Sequence, residues 1–502
     1  MVTPSSLRLI AASLMVAAGT VGAASAASWT GTKYPTTSGS AAVASFVTTQ
    51  QSPIAVAVTP AGVPAVLYRA ANKSIWNITK GSATAAWPSA STQWLSASNA
   101  NAGPMIGAAF IGSKLSAMWP VYGGAKLAAA TGTRTAQSGA ISKRAINPAV
   151  TTVFPGGSLV PAFTMGPVSG GAAWYGASSS LNDGTGRAFG GLAAPGKVPT
   201  TLLPFEANSP GGPPQIAVGS DSTGNLTAIV RSALGAVGYA TRPASTSSWT
   251  PITPLPVQPI TPTGIASYIW PTSPFALGVD PVGDAVIAYV APVDANGTLS
   301  ATGTSRAVVA MQRVGTNGTF SAPQVIQVLP SQPAVPGVAG DPAVPPGITA
   351  SVGGSGSAAT VVVAWVGGTS YTGNTINLTR ATLGQPLPAP VSAPVSAVFL
   401  TDSFWTLSAL SSAVNPQGAA AVLVGGAQTQ GNSSPLLATT SSVGSGWSPT
   451  VAFPQARGGC GGGYPGATVM PYNTGFVAAW MCAQVGTSGA TQPNAIGVST
   501  FR

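Results

Sequence analysis

One frame of residues recurs along this chain and limits its fold more than any other feature. The stretch SPIAVAVTPAGVPAVLYRA, beginning at Ser52, lies without a gap over SPFALGVDPVGDAVIAYVA, beginning at Ser273. GPMIGAAFIGSKLSAMWPV from Gly103 and YPGATVMPYNTGFVAAWMC from Tyr464 keep the same frame. Each copy holds a proline, an apolar run, a turn, a second apolar run and a closing aromatic residue. Proline and aromatic stand fifteen residues apart: Pro53 and Tyr68, Pro104 and Trp119, Pro274 and Tyr289, Pro465 and Trp480. Less regular copies start near Pro161, Pro214, Pro346 and Thr406, which brings the total to about eight at intervals of roughly 50 to 70 residues.

A third apolar stretch follows each copy, and often a fourth, as in AVGYATRP then SSWTPITPL. These short Val-, Ile-, Thr- and aromatic-rich runs, parted by Gly, Pro, Asn and Ser, have the signature of strands, and no 3.6-residue period interrupts them. A unit of four antiparallel strands repeated radially protects its sheet edges by closing into a ring. The expected fold is therefore an all-β propeller of about eight four-stranded blades, or seven if the copy near Pro161 is an insertion. The last copy runs out at Arg502 after three strands, while AAVASFV at residues 41–47 stands alone ahead of the first copy. That orphan is expected to supply the missing outer strand, making residues 27–502 a single closed domain.

The blade grammar resembles secreted bacterial β-propeller proteins, most loosely those with sialidase-type blades. The likeness spans nearly the whole chain but lacks the sialidase Asp-box; SDSTGNLT at Ser220 has the wrong Asp–Gly spacing. Sialidases of that kind use an arginine cluster, a Tyr–Glu pair and an aspartate acid/base, so the resemblance directs attention to the acids. The single glutamate, Glu206 in LPFEANSPGGPP, reads as a solvated residue of a connector between blades. Asp183 in NDGTGR reads as a turn residue. Asp402 in LTDSFW, just ahead of an inner strand, is the one catalytic candidate. Asp280 and Asp284 form no catalytic pair by this reading. Asp280 shares its slot with Thr59, Asp221 and Asn415, and Asp-Pro-Val-Gly suits a type I turn. Asp284 aligns with Val63 and Ala419, so that slot needs no acid.

Composition narrows the chemistry further. The chain has no histidine, which removes Ser-His-Asp and Cys-His nucleophilic machinery. Charged residues make up only 5% and the net charge is +11, yet the basic residues do not cluster, the nearest things being Lys143-Arg144 and singletons such as Arg69, Arg231 and Arg380. Nucleic-acid binders gather theirs on one face, so no nucleic-acid partner is expected. Residues 1–26 read as a signal peptide, with Arg8, an apolar stretch over 9–21 and small residues ending in Ala24-Ser25-Ala26. The expected destination is secreted, periplasmic or cell-surface in a bacterium, with no membrane span in the mature chain. An outer-membrane barrel is disfavoured by continuous rather than alternating apolar runs. Two cysteines remain after export, and an oxidising compartment favours a Cys460–Cys482 disulfide. Hairpin pairing centred near Tyr472-Asn473 would put Cys482 opposite roughly residue 463, close to Cys460. Two thiols without histidine complete no zinc shell, so no metal and no cofactor is expected.

The aromatic residues fall into two groups. Those closing the second strand (Tyr68, Trp119, Tyr289, Trp365 and Trp480) recur by position and suit packing between blades. Tyr268 and Trp270 in IASYIWPTSP, Trp405 and Tyr464 are irregular and stand just before inner strands. In propellers the loops entering inner strands share one face, and aromatic rings there suit sugar or protein surfaces. Tyr268, Trp270, Asp402, Trp405 and Tyr464 are thus the candidate binding residues. The expected function is non-catalytic recognition of a glycan or another surface protein; the alternative is a sialidase-like glycoside hydrolase or lyase working through Asp402.

Overall fold

A computed structural model describes residues 28–33, 53–103, 105–122, 126–134, 149–152, 157–168, 172–181, 185–197, 202–208, 215–231, 237–246, 248–258, 275–330, 347–367, 375–394, 405–428, 437–442, 445–453, 467–472, 474–485 and 491–502. Among them lie eight four-stranded antiparallel sheets, here called blades 1 to 8 in chain order. Their first strands are Ile54–Val58, Gly107–Ile111, Gly157–Val168, Gln215–Ser220, Phe275–Val279, Ile348–Gly353, Trp405–Val414 and Ala467–Tyr472. Each first strand touches the first strand of the next blade, and that of blade 8 returns to that of blade 1. The first strands therefore form a closed inner ring, and the fold is a β-propeller. The copy near Pro161 is a complete blade, with strands Gly157–Val168, Ala172–Leu181, Thr185–Ala193 and Leu202–Asn208.

The spacing of proline and aromatic acquires a physical reason in the strand register. Ile54 pairs with Tyr68, Phe275 with Tyr289, Ile348 with Trp365 and Ala467 with Trp480, so the aromatic stands on the second strand opposite the first residue of the first. All five closing aromatics are 0% exposed. Each joins an apolar cluster shared with the preceding blade. Trp119 packs with Ala55 and Leu67 of blade 1, Tyr289 with Ile229 of blade 4, Trp365 with Val286 of blade 5, and Trp480 with Leu423 of blade 7. Tyr68 completes the circle by packing with Val477 and Met481 of blade 8. The core is thus a ring of interblade seams, with the closing aromatic filling each of these.

At the end of the inner ring where the strands turn, successive blades come very close. A Cβ on Gly219 would lie 2.6 Å from Val279 of the next blade, and one on Gly278 would lie 2.7 Å from the Ser351 backbone. Glycine there lets neighbouring first strands approach, as any side chain would force them apart.

Blade 8 is closed by the N-terminal segment. Its order runs Ala467–Tyr472, Gly475–Val485, Thr491–Phe501 and then Trp29–Lys33 as the outer strand. Trp29 pairs with Phe501, and the Ser28 N–H donates to the Arg502 carbonyl at 3.1 Å. The closing strand is therefore Trp29–Lys33; residues 41–47 lie outside the described residues. The hairpin of blade 8 also differs from expectation, because Tyr472 pairs with Gly475 and the turn falls one position later. Glu206 is not in a connector. It sits in the outer strand Leu202–Asn208 of blade 3, opposite Arg187. Outer strands face solvent on one side and tolerate such polar residues, which is why the segment reads as linker.

Candidate functional site

A propeller has two ends, one where first strands begin and one where they turn back. Phe275, Trp405 and Ala467 each open a first strand, so all three stand at the entry end. Tyr268 and Trp270 precede Phe275 in the chain, Asp402 precedes Trp405 and Tyr464 precedes Ala467. Those four residues and Cys460 lie outside the described residues. Trp405 pairs with Gln428, the last residue of the second strand of blade 7. Cys482 lies in Gly475–Val485, opposite Ala495 of the third strand.

The turn end is built from a repeated hairpin. In blade 5 the Gly283 N–H donates to the Asp280 carbonyl at 3.1 Å, while Asp280 Oδ1 accepts from Val282 at 3.0 Å and Asp284 at 2.9 Å. Gly283 has φ +88°, the left-handed conformation that this type of three-residue turn demands. Thr59, Asp221 and Asn415 occupy the same slot, each with its side-chain oxygen accepting the N–H four residues on, at 2.9 Å. Asp294 builds the same turn between the second and third strands of blade 5. Asp280 is thus a turn residue. Asp284 does more than its aligned counterparts, since its Oδ1 accepts the Gly315 N–H at 2.6 Å and ties two turns of blade 5 together.

Burial gives these acids different characters. Asp280 is 2% exposed, and burial, reinforced by the neighbouring Asp284 charge, pushes its carboxyl up to about 6. Burial would also raise Asp221, but hydrogen bonds from Thr316, Asn225 and Thr223 outweigh it and hold that carboxyl below its usual value.

Six of the basic residues that look scattered in the sequence share nearly one structural position. Lys80, Arg134, Arg242, Arg313 and Arg502 each end or directly follow the third strand of a blade, and Arg380 lies near the end of another. Several cross a seam from there. Arg134 of blade 2 donates to the Lys80 carbonyl at 3.2 Å, and Arg380 of blade 6 donates to Gly418 of blade 7 at 3.1 Å. Arg313 of blade 5 donates to Thr227 Oγ1 of blade 4 at 2.8 Å and to the Gly283 carbonyl at 3.0 Å. A recurrent basic residue at the third-strand end is the sequence signal that a search for neighbouring charges misses.

Between blades 4 and 5 this arrangement leaves a cleft of about 80 Å³ at the turn end. Asp221, Asn225, Thr227, Arg242, Arg313 and Thr316 supply its polar walls. Arg313 and Arg242 are 3% and 8% exposed. Burial lowers the pKa of Arg313, while Asp221 and Asp284 act to keep its charge. Among the described residues no group of three or more His, Cys, Asp or Glu side chains is placed to hold a metal ion. No described helix is long and apolar enough to cross a membrane.

No protein-family model matches the chain, and no curated protein sequence matches it. Among solved structures it is similar to the BP39L lectin from Burkholderia pseudomallei, at 16% identity and a TM-score of 0.43, covering 81% of this chain and 99% of that one. It is also similar to AofleA from Arthrobotrys oligospora, at 12% identity and a TM-score of 0.39, covering 85% and 89%. A third similar structure is the fucose-specific lectin from Aleuria aurantia, at 12% identity and a TM-score of 0.36, covering 81% and 96%.

Proposed function

We propose that this chain is an exported, non-catalytic binding propeller that recognises glycan through the entry end of its ring. The observation that carries this reading is the closed inner ring itself. Because the first strands all begin at one end, Trp405 stands at that end, and we take Tyr268, Trp270 and Tyr464, which precede first strands in the sequence, to belong to the same binding surface. Flat aromatic surfaces with polar tips suit the apolar faces and hydroxyls of sugars. The described aspartates support binding over hydrolysis: Asp221, Asp280, Asp284 and Asp294 all spend carboxylate oxygens on backbone N–H groups of turns. A hydrolase would need two carboxylates facing a bound sugar.

Glycan-array binding by the mature chain, run beside glycoside hydrolase and lyase assays, tests the proposal. Binding without turnover, lost in Trp405→Ala and Tyr464→Ala, is the expected result. Turnover abolished by Asp402→Asn would establish the enzymatic reading instead. Export carries two further expectations, cleavage after residue 26 and a Cys460–Cys482 disulfide. Mass spectrometry of the secreted chain and thiol titration of the unreduced, denatured protein check them; two reactive thiols per chain would exclude the bond.

A further inference from the structure

The cleft between the turn ends of blades 4 and 5 lies at the opposite end of the ring from the proposed glycan surface. Its wall comes from four separate turns: Asp221 to Leu226, Thr241 to Pro243, Gly283, and Arg313 to Asn317. One water needs roughly 10–15 Å³. A cleft of about 80 Å³ therefore takes a group of several heavy atoms.

The hydrogen-bonding capacity of the wall is lopsided. Asp221 Oδ1 already accepts from the N–H groups of Thr223, Gly224 and Asn225 and from the Thr223 hydroxyl. Its Oδ2 accepts from Asn225 Nδ2 at 2.7 Å and the Thr316 hydroxyl at 2.5 Å. Thr227 Oγ1 takes an Arg313 N–H, and Asn225 Oδ1 takes the Ala244 N–H at 2.8 Å. These acceptors are thus spent on internal donors. On the donor side, Arg313 is 3% exposed, and its Nε–H meets no partner among the described residues. Arg242, a second buried guanidinium, lines the same cleft. Asp280 and Asp284 do not line it, and Asp284 turns an oxygen to the Gly315 N–H.

A buried N–H without an acceptor is costly, so an oxygen arriving beside it is favoured. Two guanidiniums favour a planar anionic group, because their forked N–H donors match the two oxygens of a carboxylate. We propose that this cleft binds a small carboxylate anion between Arg242 and Arg313. The carboxylate would also lend both blades a shared partner across their seam.

Calorimetric titration of the full chain with sodium D-glucuronate, and with D-glucose as the neutral counterpart, tests this. Saturable binding of glucuronate but not glucose is expected. Arg242→Gln should weaken it about tenfold or more, the loss expected when one charge-assisted hydrogen bond is removed. Thr241→Trp, which fills the cleft and keeps both cations, should abolish it. Circular dichroism establishes that each variant is folded, and Asn317→Trp at the exposed rim replaces Thr241→Trp if that variant is not. Trp405→Ala separates this site from the entry-end surface, and it should leave glucuronate affinity unchanged. The proposal is overturned by the absence of saturable glucuronate binding, by equal binding of glucose, or by affinity that survives Arg242→Gln and falls in Trp405→Ala.

Discussion

Replacing Asp280 with asparagine should stabilise the protein at neutral pH and do nothing in acid. Asp280 is almost fully buried, its Oδ1 caps two turn N–H groups, and its Oδ2 has no partner among the described residues. Burial first, and then Asp284, raise its carboxyl from 3.8 to about 6. The folded state therefore holds this proton more tightly than the unfolded state does. Below about pH 4 both states are protonated and no penalty exists; the penalty grows as pH rises through this window and is complete above about pH 6. At full size a shift of this extent corresponds to about 3 kcal/mol. Asp280 also helps to keep the Arg313 charge, and that attraction disappears with the carboxylate. The net gain expected from Asp280→Asn is therefore about 1–2 kcal/mol.

The turn itself loses nothing. Asn415 fills the same slot in blade 7, its Oδ1 accepting the Gln417 and Ala419 N–H groups at 3.1 and 2.9 Å. Its Nδ2 even donates to the Thr474 carbonyl of blade 8. A chain of this length moves its melting temperature by only about 1 °C per kcal/mol, so urea unfolding followed by tryptophan fluorescence is the better assay. The variant's urea midpoint should exceed that of the parent at about pH 7.5 and coincide with it at about pH 4. An unchanged or lower midpoint at the higher pH refutes the reasoning, and so does a gain of equal size at both.

Lys80 offers the mirror case: burial, and then Arg502, lower its amine to about 8, so its folded-state value lies below the 10.5 of the unfolded chain. The penalty of burying this cation is full below about pH 8 and fades as pH rises towards 10.5; Lys80→Met should therefore raise the urea midpoint near pH 7 and give no gain near pH 10.5. A gain that persists in alkali would assign the effect to packing instead. Gly497 pairs with Trp480, and any Cβ there runs into the indole, so Gly497→Ala should cost about 1–3 kcal/mol and shift tryptophan emission. Wild-type unfolding by that variant would show that the seam has slack. Trp29 packs edge-on against Phe453 with centroids 5.0 Å apart and lies 5.4 Å from Phe501, so Trp29→Ser should lose about 2–4 kcal/mol. An unchanged urea midpoint would mean that ring closure does not depend on that strand.

What was legible in the sequence and what was not follows from the distance over which each feature is encoded. The frame from Pro53 to Tyr68 lies within one hairpin, so its register and its buried aromatic could be read directly and recognised again at Phe275 and Tyr289. Apolarity identifies inner strands, which are covered on both faces, and it misleads for outer ones. AAVASFV looks more like a strand than WTGTK, yet Trp29–Lys33 is the strand that closes the ring. In it Trp29 packs against Phe453 and Phe501, and no other residue of WTGTK is a large apolar one. The same bias turned the outer strand holding Glu206 into a connector. The cleft was beyond reach for a different reason. Its walls come from four turns in two blades, and no window of sequence contains them. Arg242 and Arg313 are far apart in the chain but end the third strands of adjacent blades, so the ring converts a period of one blade into neighbours in space. In a propeller, charge clustering therefore has to be sought along the repeat, at one slot in successive copies. Applied to this chain, that rule picks out Lys80, Arg134, Arg242, Arg313, Arg380 and Arg502, the residues that line or cross the seams at the turn end.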